Sequence, residues 1–152
     1  MGKRFYSTKT YEHSVGLSCA FRQWRAEHSH CQYLHGYAIQ VKLLFEANEL
    51  DDRNWVFDFG GLKAIKQWLV DTFDHKTLVA MDDPKKILFK EWEIAGLIQL
   101  QEVDNVGCER FAEMIFDKVQ EMLASQDRVI IRLVEVREHG GNSGICENTI
   151  IR

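Results

Sequence analysis

The sequence predicts an α+β protein in which an antiparallel β-sheet carries two helices on one face. Alternating apolar and polar residues occupy the first forty-odd positions and the carboxy-terminal region, a pattern typical of half-buried strands. Two intervening stretches repeat apolar residues every three or four positions, which is the period of an amphipathic helix. The length of 152 residues and the 45% hydrophobic content are those of one ordinary globular domain. We therefore expect residues 1–152 to form a single domain.

Three strands are predicted first, in residues 3–15, 16–22 and 37–47. Each range alternates apolar with polar positions and contains β-branched or aromatic residues. Residues 25–30 are polar and show no period, which indicates a loop. This loop would carry Cys31 to the mouth of whatever site the strands form.

The middle of the chain predicts a turn followed by the first helix. Residues 48–54 are rich in Asn, Asp and Glu, and we expect them to close a hairpin before residues 55–57. The helix is predicted to span about three turns. Its apolar residues recur at helical spacing at Leu62, Ile65, Trp68, Leu69 and Phe73.

The second half of the chain predicts another helix and the last strands. Residues 82–84 indicate a turn, the rest of 80–90 is compatible with a loop or a short strand, and residues 97–101 indicate a short strand. Asp104 and Asn105 offer N-cap chemistry for the second helix. Its apolar face consists of Phe111, Met114, Ile115, Val119 and Met122.

The last two strands are predicted in residues 128–136 and 145–151, joined through the glycine-rich residues 140–144. Strands at both ends and helices between them favour an antiparallel sheet with both helices on one side.

Charge and cysteine content exclude several classes of protein. The formal charge of −4 and the pI near 5.9, with acids and bases interspersed, leave no basic stripe for nucleic acid or an anionic membrane. No apolar run follows the amino-terminal residues, so we expect a cytoplasmic protein. The four cysteines are irregularly spaced and form no CxxC pair, which predicts reduced thiols.

Three short segments carry residues that could perform chemistry. Cys31 and His35 form a Cys-x3-His pair at a loop-to-strand junction, where a thiol gains reactivity if a positive group lies nearby. Asp74 and His75 follow the first predicted helix directly. Glu138 follows Val134 and Val136 at two-residue spacing, so these side chains should share one face of a strand. A carboxylate on an apolar face requires a polar partner.

Six fragments, in this order, resemble the 6-pyruvoyl-tetrahydropterin synthase and 6-carboxy-tetrahydropterin synthase family, whose members are pterin-forming enzymes of the tunnelling fold. The fragments are LSCAFR (17–22), CQYLHGY (31–37), VFDFGGLK (56–63), DHKTL (74–78), CERFA (108–112) and VEVRE (134–138). The resemblance implies a four-stranded antiparallel sheet with two helices on one face. It also implies that such sheets join edge to edge into a barrel, as homo-oligomeric trimers paired into hexamers.

The same resemblance implies roles for five residues. Cys31 matches the catalytic thiol, and Asp74 and His75 match the acid and imidazole that complete a triad with it, often across a subunit boundary. In such a triad the acid orients the imidazole, which takes or returns the thiol proton. Glu138 matches the glutamate that grips the amino and N–H donors of the pterin ring. Glu109 lies in the other region that contacts the ring.

The resemblance implies zinc held by three histidines, and this chain departs from that pattern. Phe21 stands where the first histidine is expected, His35 matches the second, and Tyr37 replaces the third. Phenylalanine cannot bind zinc, and tyrosine is an uncommon zinc ligand. We therefore do not expect zinc bound in the family's manner. Strand alternation leaves a rearranged site of Cys19, His35 and Tyr37 open.

Three functions follow as alternatives. The first is a carbon–oxygen lyase of the 6-pyruvoyl/6-carboxy-tetrahydropterin synthase type acting on 7,8-dihydroneopterin triphosphate or a related reduced pterin. The second is a non-catalytic pterin or purine binder, or an accessory subunit, without zinc-dependent activity. The third is metal-free chemistry like that of the aldolases sharing this fold, with Tyr37 as proton donor. Queuosine, folate and biopterin routes all stay open.

Overall fold

A computed structural model describes residues 2–150, which form a mixed seven-stranded sheet and three α-helices. The elements are β1 (Phe5–Tyr11), β2 (Leu17–Phe21), β3 (His35–Ala47), α1 (Lys63–Phe73), β4 (Lys76–Ala80), α2 (Lys86–Ile94), β5 (Gln99–Val103), α3 (Cys108–Met122), β6 (Val129–His139) and β7 (Asn142–Glu147). Short 3-10 helices cover His13–Val15, His30–Gln32 and Phe59–Leu62.

The sheet is organised around β3, whose thirteen residues pair with three other strands. The strand order is β5-β4-β2-β3-β6-β7, and β1 also pairs with β3. The first half of β3 pairs with β2 and its second half with β1, both antiparallel. β6 pairs with β3 and β7 with β6, again antiparallel.

The predicted sheet of four antiparallel strands with two helices is smaller than the observed one, which has seven strands and three α-helices. β4 pairs parallel with β2, and β5 pairs parallel with β4, so the sheet is mixed. Parallel neighbours need a crossover connection, and α2 supplies it between β4 and β5. The sequence of α2 lacked a clear helical period in residues 80–90, and the helix was missed for that reason.

The prediction of a hairpin strand in residues 55–57 was wrong. Residues 55–57 form no strand, because the Asp51 side chain accepts hydrogen bonds from the backbone N–H groups of Arg53 and Trp55, each at 2.9 Å. This side-chain turn folds the segment back, and Phe57 stacks on Phe45 with ring centroids 4.7 Å apart.

The predicted ends of α3 and β7 also shift. Gly107, rather than Asp104 or Asn105, caps α3, and its φ of 116° is one that side chains rarely adopt. β7 begins at Asn142, because the turn before it needs only Gly140 and Gly141. Ile151, in the last predicted strand, lies outside the described residues.

The core lies between one face of the sheet and the helices α1 and α3. The inward side chains of β3 and β6 and the inner faces of both helices are fully buried. Examples are Val41, Leu43, Val134, Val136, Ile65, Leu69, Phe111 and Ile115. Among residues 2–150, no helix is both long and apolar enough to span a membrane.

Candidate functional site

Phe21, His35 and Tyr37, the positions matched to the family's metal ligands, converge in the folded chain. Phe21 ends β2 and pairs with His35 at the start of β3. The ring centroids lie 6.0 Å apart for Phe21 and His35, 6.1 Å for Phe21 and Tyr37, and 5.2 Å for His35 and Tyr37. The pairing of β2 with β3 therefore brings the three side chains together.

This cluster does not supply the donors that zinc needs. Phe21 is buried, and its ring packs edge-on against Phe111 at 5.0 Å. His35 Nδ1 lies 2.6 Å from the carbonyl oxygen of Tyr33, so a neutral imidazole donates there and keeps Nε2 as its acceptor. No three or more His, Cys, Asp or Glu side chains of the described chain are grouped so as to hold a metal ion.

The rearranged site with Cys19 does not fit a metal either. The Cys19 side chain is buried, and burial raises the pKa of its thiol to about 12. The Cys19 thiol belongs to the hydrophobic core cluster, and within residues 2–150 it is part of no group of three or more His, Cys, Asp or Glu side chains that could hold a metal ion. No metal step can be derived from these residues.

Glu138 lies in an irregular part of the β6–β7 ladder. The pairing shifts register between Arg137 and His139, so Glu138 is the extra residue of a bulge. The half-buried carboxylate lies close to the Tyr37 hydroxyl and the Cys108 thiol. Burial raises the pKa of both groups, that of Cys108 to about 12, and the negative charge of Glu138 and hydrogen bonding to it add to the effect.

Cys31 reaches the same site from the loop between β2 and β3. It lies in the short 3-10 helix His30–Gln32, where its N–H donates to Ser29 Oγ at 3.2 Å. Its carbonyl oxygen accepts a hydrogen bond from Gln23 N at 2.8 Å, and the residue is exposed. Cys31 also contributes electrostatically to the raised pKa of Tyr37. Cys31 and Glu138 thus both lie near Tyr37.

Asp74 and His75 form a fixed pair, but at some distance from Cys31. Asp74 Oδ1 and His75 Nδ1 are 2.8 Å apart, and the His75 backbone N–H donates to Ser18 O at 2.6 Å. The Cys31 carbonyl oxygen is bonded to Gln23 N, and Gln23 lies two residues beyond β2 and five residues beyond Ser18, a backbone span of roughly 16 Å if extended. The backbone contacts of Cys31 and of His75 therefore fall at opposite ends of the segment that contains β2.

The family model described as 6-pyruvoyl tetrahydropterin synthase matches residues 11–149 of this chain. The chain belongs to that family. The match begins at the last residue of β1 and extends beyond β7, so it includes every segment that forms the site described above.

Individual relatives support the membership in the 6-pyruvoyl tetrahydropterin synthase family. The 6-carboxy-5,6,7,8-tetrahydropterin synthase of Rickettsia felis is 37% identical over 54 residues, which cover 35% of this chain and 39% of that protein. The enzyme of the same name from Helicobacter pylori is 25% identical over 122 residues, 77% of this chain and 60% of its own length. The chain therefore matches less than two thirds of the length of either relative.

Solved structures share the fold of this family member. An uncharacterized protein from Wolinella succinogenes superposes with a TM-score of 0.79 at 18% identity, covering 97% of this chain and 99% of the other. The 6-pyruvoyl tetrahydropterin synthase of Plasmodium falciparum gives a TM-score of 0.68 at 16% identity, with the same coverage.

Glu109, the second ring-contacting residue that membership in this family suggests, lies exposed in the first turn of α3. An acid there is favourable to the helix dipole in any case. Its neighbour Cys108 is buried beside Glu138, and sequence reasoning did not single it out. In the sequence, its position in the CERFA fragment, directly before Glu109, was the feature that could have identified it as a site residue.

Two further contributors to the site were missed. The His139 ring lies 6.3 Å from the Tyr37 ring, and Gly141 N–H donates to its Nδ1 at 3.0 Å. Arg22 donates two hydrogen bonds to the buried carboxylate of Asp83, at 2.8 and 2.6 Å, and fixes the start of the Cys31 loop. The sequence signals were the position of Arg22 at the end of the LSCAFR fragment and that of His139 next to Glu138.

Proposed function

We propose that this chain is an enzyme of the 6-pyruvoyl/6-carboxy-tetrahydropterin synthase type that acts on a reduced pterin. The observation that carries the proposal is that Cys31 and Glu138, which lie far apart in the sequence, both lie near the Tyr37 side chain in the folded chain. A ring-binding carboxylate and a thiol that converge on one half-buried side chain form a site for a small heterocycle with a reacting substituent.

Glu138 is the proposed anchor of the ring. A pterin presents an amino group and a ring N–H side by side, and a carboxylate can accept one hydrogen bond from each. Such charge-assisted bonds are stronger than neutral ones, and more so where the acceptor is partly shielded from water. The bulge at Glu138 supports this role, because bulges often redirect a side chain beside an active site.

Cys31 is the proposed proton-transfer thiol, with His75 as its base and Asp74 as the group that orients the imidazole. The 2.8 Å contact between Asp74 and His75 supports this pairing, and the His75 side chain is 77% exposed. Because the pair lies far from Cys31 of its own chain, we propose that it serves the Cys31 of a neighbouring chain. The edge strands β5 and β7 could join such chains into the barrel of paired trimers that the family resemblance implies.

The proposed reaction includes no step through zinc, since Phe21 and Tyr37 do not provide the missing donors. A metal acting as a Lewis acid supplies several kcal/mol of transition-state stabilisation. Release of triphosphate is therefore expected to be slower here than in a relative with three histidines at these positions.

The direct test is to incubate the protein with 7,8-dihydroneopterin triphosphate, with and without added zinc, and to separate the pterin products. We expect product from the natural chain and none from Cys31→Ala, which should still bind the pterin. No turnover by the natural chain under either condition would remove the enzymatic proposal.

A second candidate, a non-catalytic pterin or purine binder, is favoured by the replacement of two metal positions with Phe21 and Tyr37. Ring binding requires neither Cys31 nor the Asp74–His75 pair. This candidate therefore predicts tight pterin binding, no product, and no difference between the natural chain and Cys31→Ala in any assay.

A further inference from the structure

We propose that the Tyr37 hydroxyl replaces a metal ion as the polar group that meets the substituent of the bound pterin, and that this chain binds its pterin without zinc. The inference rests on the proposed function and adds to it a specificity-determining residue. It also adds a ligand class, reduced pterins whose substituent carries a hydrogen-bond-accepting oxygen close to the ring.

The backbone positions of a three-ligand site are retained in this chain. Zinc bound by three imidazoles holds the ring centroids about 5 Å apart, given Zn–N bonds of about 2.0 Å in tetrahedral geometry. The rings of Phe21, His35 and Tyr37 are 5.2–6.1 Å apart, close to that spacing. The difference from a metal site therefore lies in the side-chain chemistry and not in the fold.

The Tyr37 hydroxyl is suited to donate a hydrogen bond at this position. Its ring lies between two imidazoles, with centroids 5.2 Å from His35 and 6.3 Å from His139, and His139 is held in turn by Gly141 N–H. A tyrosine hydroxyl ordinarily ionises only at about pH 10, so it carries a proton at neutral pH. In the free chain this hydroxyl is hydrogen-bonded to Glu138. The N–H donors of the pterin ring would take its place on that carboxylate, and the released hydroxyl would then donate to an oxygen on the substituent.

The first experiment measures zinc directly, by metal analysis and competition with a chromophoric zinc indicator. The natural chain is expected to retain no stoichiometric zinc. The Phe21→His/Tyr37→His double variant, which completes three imidazoles with His35, is expected to bind zinc at least about 100-fold more tightly, since even an outer partner of a metal site contributes about 10- to 100-fold.

Phe21 is part of the core, so the double variant could fail to fold, and Tyr37→His alone provides the second test. With His35 it supplies two imidazoles and should bind zinc more tightly than the natural chain but less tightly than the double variant. Stoichiometric zinc on the natural chain would overturn the inference. If the double variant folds but its zinc affinity is unchanged, residues 21, 35 and 37 are not placed as a three-ligand site, and that part of the inference is wrong.

The second experiment titrates two pterins in the presence of a metal chelator and follows pterin fluorescence. 7,8-Dihydroneopterin carries hydroxyl groups on its substituent, whereas 7,8-dihydropterin has no substituent. Tyr37→Phe is expected to weaken binding of the first by about 3- to 10-fold, the value of one hydrogen bond, and to leave the second unchanged. Tyr33→Phe, an exposed tyrosine in the preceding loop, is the matched control and should change neither.

The outcomes separate this inference from the function on which it rests. If both pterins bind the natural chain and Tyr37→Phe weakens them equally, the role of Tyr37 is wrong while pterin binding stands. If chelation abolishes binding of both pterins, the metal-free proposal is wrong. If neither pterin binds with or without zinc, the proposed function itself fails, and the role of Tyr37 fails with it.

Discussion

Gly144 of β7 lies directly against the backbone of Glu109, at the first turn of α3. A Cβ atom on Gly144 would lie 2.7 Å from the carbonyl carbon of Cys108 and 2.9 Å from Cα of Glu109, closer than real Cβ atoms approach backbone. The absence of a side chain at Gly144 thus lets α3 begin against the β6–β7 hairpin. This contact keeps Cys108 beside Glu138, and with it one wall of the candidate site.

Gly144→Ala is therefore expected to destabilise the protein by about 1–3 kcal/mol, because the added methyl group forces backbone apart in a packed region. The free energy of unfolding, measured by urea denaturation, checks this. Gly140→Ala is the matched control from the same hairpin, since a Cβ there would meet no atom within 4 Å. Equal stability of the two variants would contradict the close-contact argument.

Glu138→Gln is expected to weaken binding of a reduced pterin by about 10- to 100-fold, because it removes the charge from the proposed ring anchor. Pterin fluorescence titration measures the effect. Glu135→Gln is the control on the same strand, where the carboxylate bonds instead to Arg137 at 3.2 Å and Ser143 at 2.9 Å. If both variants lose pterin affinity equally, the cause is damage to the strand, and the role of Glu138 in ring binding is contradicted.

Sharing of sites between chains predicts complementation between two inactive variants. Cys31→Ala and His75→Ala should each lack activity, whereas chains unfolded and refolded together should regain it at about one quarter of the sites, where both natural residues meet. Product formation after mixing is the measurement. Mixing without refolding is the control, and no recovery in refolded hetero-oligomers would show that the triad is not shared.

Burial of Cys19 predicts a loss of stability at alkaline pH. The pKa of its thiol is raised from 9.0 to about 12 in the folded chain, so the folded state keeps a proton that the unfolded state releases above pH 9. The stabilising contribution is complete below pH 9 and declines as the pH rises toward 12, by up to about 1.4 kcal/mol per pH unit.

The measurement is urea unfolding near pH 8 and near pH 10, with the natural chain and Cys19→Ala. The decline between the two conditions should be smaller in Cys19→Ala by about 1.4 kcal/mol, since the titrating group is gone. Ser18→Ala, an exposed and non-titrating neighbour on the same strand, should show the natural decline. An unchanged decline in Cys19→Ala would contradict a buried neutral thiol.

Several elements were predictable because their signals are local. The spacing of Leu62 to Phe73 gave α1, and the alternation in residues 37–47 gave β3. α2 was missed because its nine residues form too few helical turns for a clear apolar period. The parallel pairing of β4 with β5 was missed with it, since α2 is the connection between these two strands. The bulge at Glu138 was also missed, since it arises from the register of β6 against β7.

The sequence by itself determined the family and supplied the candidate thiol, the candidate acid–imidazole pair, and Phe21 and Tyr37 where the resemblance implies histidines, because residue identity and order carry this information. Only the tertiary structure decided which of these groups meet. It brings Cys31, Tyr37, Cys108 and Glu138 together and leaves Asp74 and His75 at the other end of β2. The physical reason is that pairing register and the close packing of α3 against β7 set distances between residues that lie far apart in the chain.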